Sequence, residues 1–167
     1  AEALDLANAA ADELGSTLKN ALVSKMKAEG PLAAATVCSQ SAESLTADIA
    51  TRTGAAVGRS SLRLRNAKNA APPWVKQWLS AQGERPAEGA KGISRSLSYE
   101  GTTYAQVLRP LAVAGPCLVC HGPKESIAPE IASLLAEKYP DDAATGYALG
   151  DLRGALYSEV QMADPSR

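Results

Sequence analysis

The stretch Cys117-Leu118-Val119-Cys120-His121 limits this chain more than any other. A C-x-x-C-H run reads as a site of covalent haem c attachment. Thiols at this spacing can add across the two vinyl groups on one edge of a porphyrin. The histidine that follows is then held beneath the iron as an axial ligand. His121 is the only histidine in the chain, so no second imidazole can share its work. Two other chemistries use the same residue types. A redox C-x-x-C should follow a strand and open a helix within a βαβ unit. Here Gly115-Pro116 precedes the motif and Gly122-Pro123 follows it, so no helix is expected to start cleanly on the cysteines. A zinc site of Cys38, Cys117, Cys120 and His121 has the right ligand count for a tetrahedral ion. Adjacent Cys120 and His121, however, are poorly spaced to converge on one small ion. Haem c is the preferred reading, one per chain and covalent.

The cysteine count supports it. There are three cysteines, and two thioethers leave only Cys38. The chain has no Phe, and only 4% of its residues are aromatic. A porphyrin would supply the flat apolar surface that aromatic side chains usually provide. At 167 residues the expectation is one domain over 1–167, long enough for a core without disulfides. It divides into an N-terminal helical pair (1–53) and a sheet and haem-attachment unit (54–167). The net charge of −1 argues against nucleic acid as a partner. No apolar run reaches the roughly 18 residues a membrane span needs. The chain opens Ala1-Glu2-Ala3, without the charged and apolar regions of a secretory leader. The expectation is an extracytoplasmic protein, periplasmic or thylakoid-lumenal, whose signal or anchor has been removed.

Residues 3–28 carry Leu4, Ala7, Ala11, Leu14, Leu18, Leu22 and Met26 at spacings of three and four, which predicts a long amphipathic helix. Its Ala-rich stripe suits close packing against another helix, in a hairpin or a homodimer seam. A second helix is expected from Pro31 to Arg52, with Pro at its start and Gly54 at its end. Cys38, Ala42, Leu45 and Ile49 would share its apolar face, which makes a buried, inert Cys38 thiol one reading. Alternation around Leu62 and Leu64 predicts a strand over Val57–Arg65. Pro72-Pro73 introduces a short helix anchored by Trp74, Trp78 and Leu79, and a polar loop rich in Gly and Pro is expected over Gln82–Gly92. Ile93–Tyr99 and Thr102–Leu108 flank Glu100-Gly101 as a hairpin. A helix over Ala128–Lys138, a loop over Asp141–Gly150 and a last strand over Ala155–Val160 complete an α+β pattern of roughly four strands.

No acid lies between Asp48 and Glu84, whereas Arg52, Arg59, Arg63, Arg65, Lys68 and Lys76 do. Such a run usually marks a solvated face. Haem propionates would be natural partners for Arg59, Arg63 and Arg65, since guanidinium binds carboxylate in a bidentate fork.

Several of these stretches together resemble a family of extracytoplasmic single-haem c-type proteins with a PAS-like fold, the haem c sensor-like domain family. They are Val37-Cys38, the run Val57 to Asn66 with Asn69 to Trp74, Arg109-Pro110-Leu111, Cys117 to Gly122, Tyr139-Pro140 through Gly146-Tyr147, and Gly150 to Gly154. The resemblance covers nearly the whole chain. C-x-x-C-H is common to all c-type cytochromes, whereas Gly58-Arg59-Ser60-Ser61-Leu62-Arg63-Leu64-Arg65-Asn66 is far more specific. It implies an α+β fold, a PAS-like antiparallel sheet with flanking helices and two long N-terminal helices. It also implies haem iron ligated by His121 and by the Cys38 thiolate. Met26, Met162, water or no second ligand are the alternatives to Cys38.

A doubly ligated iron has no open position, so the expected role is low-potential electron transfer with a redox partner protein rather than enzymatic catalysis. The second role is a redox or small-gas sensor that signals by ligand dissociation. A peroxidase would need a distal acid–base residue, and no second histidine exists to play that part.

Overall fold

The computed structural model of the protein describes residues 1–84 and 86–163. Arg85, which falls in the predicted Gln82–Gly92 loop, and residues 164–167 of the expected 1–167 domain lie outside the described residues.

Helix α1 spans Glu2–Glu29 and begins with Glu2 and Asp5, which suit the positive end of the helix dipole. Gly30 ends it at φ 88°. Its buried stripe is Ala3, Ala7, Ala10, Ala11, Leu14 and Leu18. The small residues let α1 lie close to a sheet: a Cβ on Gly15 would sit 3.5 Å from Leu156 Cδ1. The principal partner of the stripe is therefore a sheet face, together with the helices that follow, rather than a helix alone. Leu22 and Met26, expected on the same stripe, are only half-buried. Ion pairs from Asp12 to Arg109 and from Glu13 to Arg52 flank α1. Both are exposed and screened by solvent, so apolar burial holds the helix down.

The second N-terminal helix is not continuous. Helix α2 (Pro31–Thr36) runs into a π-helical turn, Val37–Ser41, and resumes as α3 (Ala42–Thr53). The Ala42 N–H donates to the Val37 carbonyl, five residues back. The extra residue rotates the stripe: Val37, Ala42 and Ile49 are buried, and Cys38 is exposed. The predicted apolar face of Cys38, Ala42, Leu45 and Ile49 assumed an unbroken α-helical period. The π turn breaks it and puts Cys38 outside the core.

Strands β1 (Ala56–Ser60), β2 (Ile93–Tyr99), β3 (Thr102–Ala112) and β4 (Leu152–Ala163) form one antiparallel sheet in the order β1-β4-β3-β2. One face packs Ala105, Val107, Leu156 and Val160 against α1 and α3. The other packs Leu108 and Ala155 against Val75, Trp78 and Leu79 of α4 (Pro73–Gln82). The α+β class and the antiparallel sheet with flanking helices hold.

Strand limits differ from expectation in three places. The predicted strand Val57–Arg65 stops at Ser60. Beyond it the Ser61 hydroxyl accepts the Arg63 N–H at 3.1 Å, a local turn that competes with ladder pairing. Leu62 is 52% exposed despite its alternation, so Arg63 and Arg65 lie on a loop. β3 continues through Pro110, because β2 ends opposite Leu108 and Pro110 has a neighbour on one side only. β4 is longer than expected and carries a bulge: Leu111 pairs Gly154 and Ala112 pairs Leu152, which leaves Arg153 as the extra residue.

Gly154 is where β1 and β4 approach most closely. A Cβ there would fall 2.2 Å from the Ser60 carbonyl oxygen, and backbone cannot yield. At Gly58 the obstacle is the Tyr157 hydroxyl, 2.6 Å away on a side chain that can turn. Gly154→Ala is expected to cost about 3 kcal/mol and Gly58→Ala about 1 kcal/mol. Urea unfolding midpoints check this, and equal losses would show that the two strands do not approach so tightly at Gly154.

Candidate functional site

Pro116 sits in the first turn of a short 3-10 helix, Gly115–Cys117, which leads into a single α-helical turn, α5 (Leu118–His121). A helix therefore does start on the cysteines, contrary to expectation. Proline at the head of a helix loses no hydrogen bond, since the N–H it lacks would have no helical partner there. The redox reading still lacks its context, because β3 before the motif and β4 after it pair antiparallel, so the turn does not belong to a βαβ unit. Cys117 and Cys120, three apart, project from one side of the turn and are both part-exposed. Val119 and Cys120 lean on Ile127, Ile131 and Leu135, the last two from α6 (Pro129–Lys138). Gly122 closes the turn, and a Cβ there would meet the Leu118 carbonyl at 2.6 Å.

His121 is fixed from several sides. Its carbonyl accepts the Tyr147 N–H at 3.0 Å, and the Gly122 carbonyl accepts the Gly146 N–H at 2.8 Å. The ring meets Tyr147 edge-on, with centroids 6.3 Å apart. His121 Nδ1 lies 2.8 Å from the Ala144 carbonyl oxygen. A carbonyl can only accept, so Nδ1 carries the proton and Nε2 keeps its lone pair for a metal. Burial, then Arg153 and Arg65, lower the His121 pKa from 6.5 to about 3. The imidazole is neutral at physiological pH, as a ligand must be.

The carbonyl that orients His121 is itself held by Arg65. This side chain is only 9% exposed; its Nε donates to Asp142 at 3.0 Å, and a terminal nitrogen donates to the carbonyls of Cys120 at 2.5 Å and Ala144 at 3.2 Å. The other Asp142 oxygen accepts the Ala144 N–H at 2.8 Å. Arg63 donates to the Ala143 and Thr145 carbonyls and lies 4.1 Å from the Tyr147 ring centroid. Arg63 and Arg65 thus tie the 61–66 loop to the 142–147 loop. Arg59 stands apart, half-buried on β1 and near enough to Tyr139 and Arg153 for its charge to bear on both.

Cys38 reaches this neighbourhood from the π turn. It is close enough to Cys120 and Tyr139 for a thiolate there to raise both of their pKa values. Burial is the larger cause of the raised Cys120 value, and Arg65 opposes it. Among the described residues, no three His, Cys, Asp or Glu side chains converge as they would on one ion. The donor set Cys38, Cys117, Cys120 and His121 is therefore too spread for the tetrahedral zinc site.

Sequence reasoning did not assign roles to Asp142, Ala144, Tyr147 or Arg153. All four lie within stretches that carried the resemblance, but nothing in their identities shows which atoms face His121.

The family model described as Tll0287-like (Tll0287) matches residues 1–160. The chain belongs to the Tll0287-like family. Among solved structures, the cyanobacterial haem protein Tll0287 aligns with 90% of this chain and 93% of its own. The two share 23% sequence identity at a TM-score of 0.62, a likeness of fold. No curated protein matches the chain. The resemblance drawn from the sequence motifs and the α+β fold both hold for this Tll0287-like chain.

The buried, neutral His121 makes the haem-free chain acid-sensitive. Its folded pKa lies below that of the unfolded chain, so on acidification the unfolded state takes up the proton first. The stability is present above about pH 6.5 and lost as the pH falls toward about 3. The loss is on the order of a few kcal/mol. Urea titrations of haem-free protein from pH 7 to 4 should show it, and His121→Gln should flatten the slope. An unchanged slope in His121→Gln would place the effect elsewhere.

Proposed function

We propose that this Tll0287-like protein is a c-type cytochrome: one haem joined covalently to Cys117 and Cys120, ligated by His121 Nε2 and Cys38 Sγ, in low-potential extracytoplasmic electron transfer. The observation that carries the reading is the His121–Ala144 hydrogen bond, which leaves Nε2 as the one free ring nitrogen beside two part-exposed thiols. The residues fit the group. The exposed Cys38 thiol approaches the same place, and the 4% aromatic content leaves room for a large flat apolar partner. Bound haem would supply a one-electron couple. The chain would hold that couple rigidly: Ala144 fixes the imidazole, Arg65 fixes Ala144, and the sheet fixes both loops. With both axial positions filled, no position is left for a substrate, so we assign no enzymatic activity. The compartment that goes with this reading is the periplasm or thylakoid lumen. The partners are a redox protein and a second copy docked on the N-terminal helices, where Leu6, Val23 and Leu32 are exposed.

Attachment is tested by pyridine haemochrome spectra and intact mass after expression in a host that matures haem c. Cys117→Ser or Cys120→Ser should leave a single thioether, and the double variant none. Parent protein without covalent haem would sink the reading.

The axial ligand is tested separately. Thiolate stabilises ferric iron, so the parent potential should be negative, and Cys38→Met should raise it, since Met/His ligation favours the reduced state. Electron paramagnetic resonance of the ferric parent should show low-spin thiolate signals that vanish in Cys38→Ala. An unchanged spectrum in Cys38→Ala would make Met26 or Met162 the ligand instead.

A second reading, a redox or gas sensor, draws on the place of Cys38. A ligand on a π turn between two helices that pack on α1 is well sited to pass on its own departure. Rapid carbon monoxide binding to the reduced parent favours this reading, and failure to bind favours the carrier.

A further inference from the structure

A cleft of about 370 Å³ opens beside Tyr147, on the edge of the candidate haem site, and contains none of Cys38, Cys117, Cys120 and His121. Its walls come from the 61–63 loop, Gly146-Tyr147, the start of β4 and the end of α4. Two guanidiniums flank the same aromatic ring there, Arg63 at 4.1 Å and Arg153 at 5.3 Å from the Tyr147 centroid. Nothing described so far explains Arg153. It is half-buried, and the β4 bulge makes it the extra residue there. It donates to the Arg63 carbonyl at 3.3 Å and lies within reach of the Tyr147 hydroxyl, and no carboxylate pairs with it among the described residues.

A half-buried cation without a counter-charge is costly, and here the neighbours make it worse. Burial, and then Arg65 and Arg59, push the Arg153 pKa down, against a pull upward from Tyr147. Asp142, the acid within reach of this group of arginines, is already bound to Arg65. Two acids also line the cleft. Asp151 accepts the Ala148 N–H at 2.8 Å, and Glu84 is exposed. Neither forms an ion pair with Arg63 or Arg153 among the described residues.

We propose that the cleft between Arg63, Tyr147 and Arg153 is a carboxylate-binding site, with the Arg153 fork as its principal anchor and Arg63 as the second cation. Guanidinium matches the planar, two-oxygen geometry of a carboxylate. The stacked Tyr147 ring holds both cations in place before the anion arrives. The carboxylate has two sources, a small free acid or a propionate of the haem. The second source rests on the cytochrome reading, and the first does not.

The test uses acetate as the probe, on the full chain, loaded and haem-free, by calorimetry at constant ionic strength with chloride as the control salt. Saturable acetate binding that weakens at least about tenfold in Arg153→Gln, and less in Arg63→Gln, identifies a free-acid site. Loaded protein that ignores acetate, but whose propionate bending band in resonance Raman spectra moves in Arg153→Gln, identifies a propionate site. Circular dichroism confirms that each variant is folded, and Arg153→Lys replaces Arg153→Gln if it is not. Acetate binding that survives the loss of Arg153 overturns the proposal. So does the absence of acetate binding in both forms together with an unmoved propionate band. If the chain carries no haem at all, the cytochrome reading falls, and the acetate titration alone decides the cleft.

Discussion

The structure around the C-x-x-C-H turn depends on one buried ion pair, Arg65 with Asp142. A pair this deep is not a large net source of stability, because removing two charges from water offsets most of their attraction. Its value is geometric. From one guanidinium, Arg65 reaches the carboxylate of Asp142 and the carbonyls of Cys120 and Ala144. Asp142 answers by accepting the Ala144 N–H. Ala144, whose carbonyl sets the His121 tautomer, is therefore clamped at both its N–H and its carbonyl. Without Arg65, the Cys120 and Ala144 carbonyls and Asp142 would each lose a donor, and the ring orientation of His121 would lose its support.

Opposite this clamp stands a site of another kind. Cys38 lies on a π turn, where an added residue breaks the regular 3.6-residue period. The turn keeps Val37 and Ala42 in the core while releasing Cys38 from it. A regular α-helix through the same residues would return Cys38 to the buried stripe. The helix thus gives up local regularity to present one thiol toward Cys120 and Tyr139, while α3 still closes the core against β1 and α1.

Sequence patterns exposed some of this and hid the rest, for identifiable reasons. Long periodic elements were legible: α1, α4, the β2–β3 hairpin and α6 all appear close to where spacing and Gly or Pro punctuation put them. The C-x-x-C-H turn was legible because its three residue types are specified together. The π turn was not, since Val-Cys-Ser-Gln-Ser reads as ordinary helix, and only the register of Val37 against Ala42 reveals the insertion. The alternation of Leu62 and Leu64 mimicked a strand, whereas Ser61 turns the chain and frees Arg63 and Arg65 to brace the loop that orients His121. Arg153 was hidden for the opposite reason. It sits in a true strand, and its direction follows from a bulge that no residue type announces.

These two halves imply opposite electrostatic demands on whatever lies between them. On the His121 side, burial and then the Arg153 and Arg65 guanidiniums disfavour added positive charge and depress the His121 pKa. The Cys38 side presents an exposed thiol. In the proposed cytochrome the thiolate would stabilise ferric iron, and the guanidiniums would favour the less positive ferrous state. The potential would then be set by a balance between one directly bonded anion and several cations held farther away. The bonded anion dominates, because Coulomb energy falls with distance and the Arg65 charge is already matched by Asp142. Arg153 has no such match among the described residues. An anion placed beside it would move the balance further toward the ferric state, and in the proposed cytochrome the occupancy of the Tyr147 cleft would be a second control on that balance.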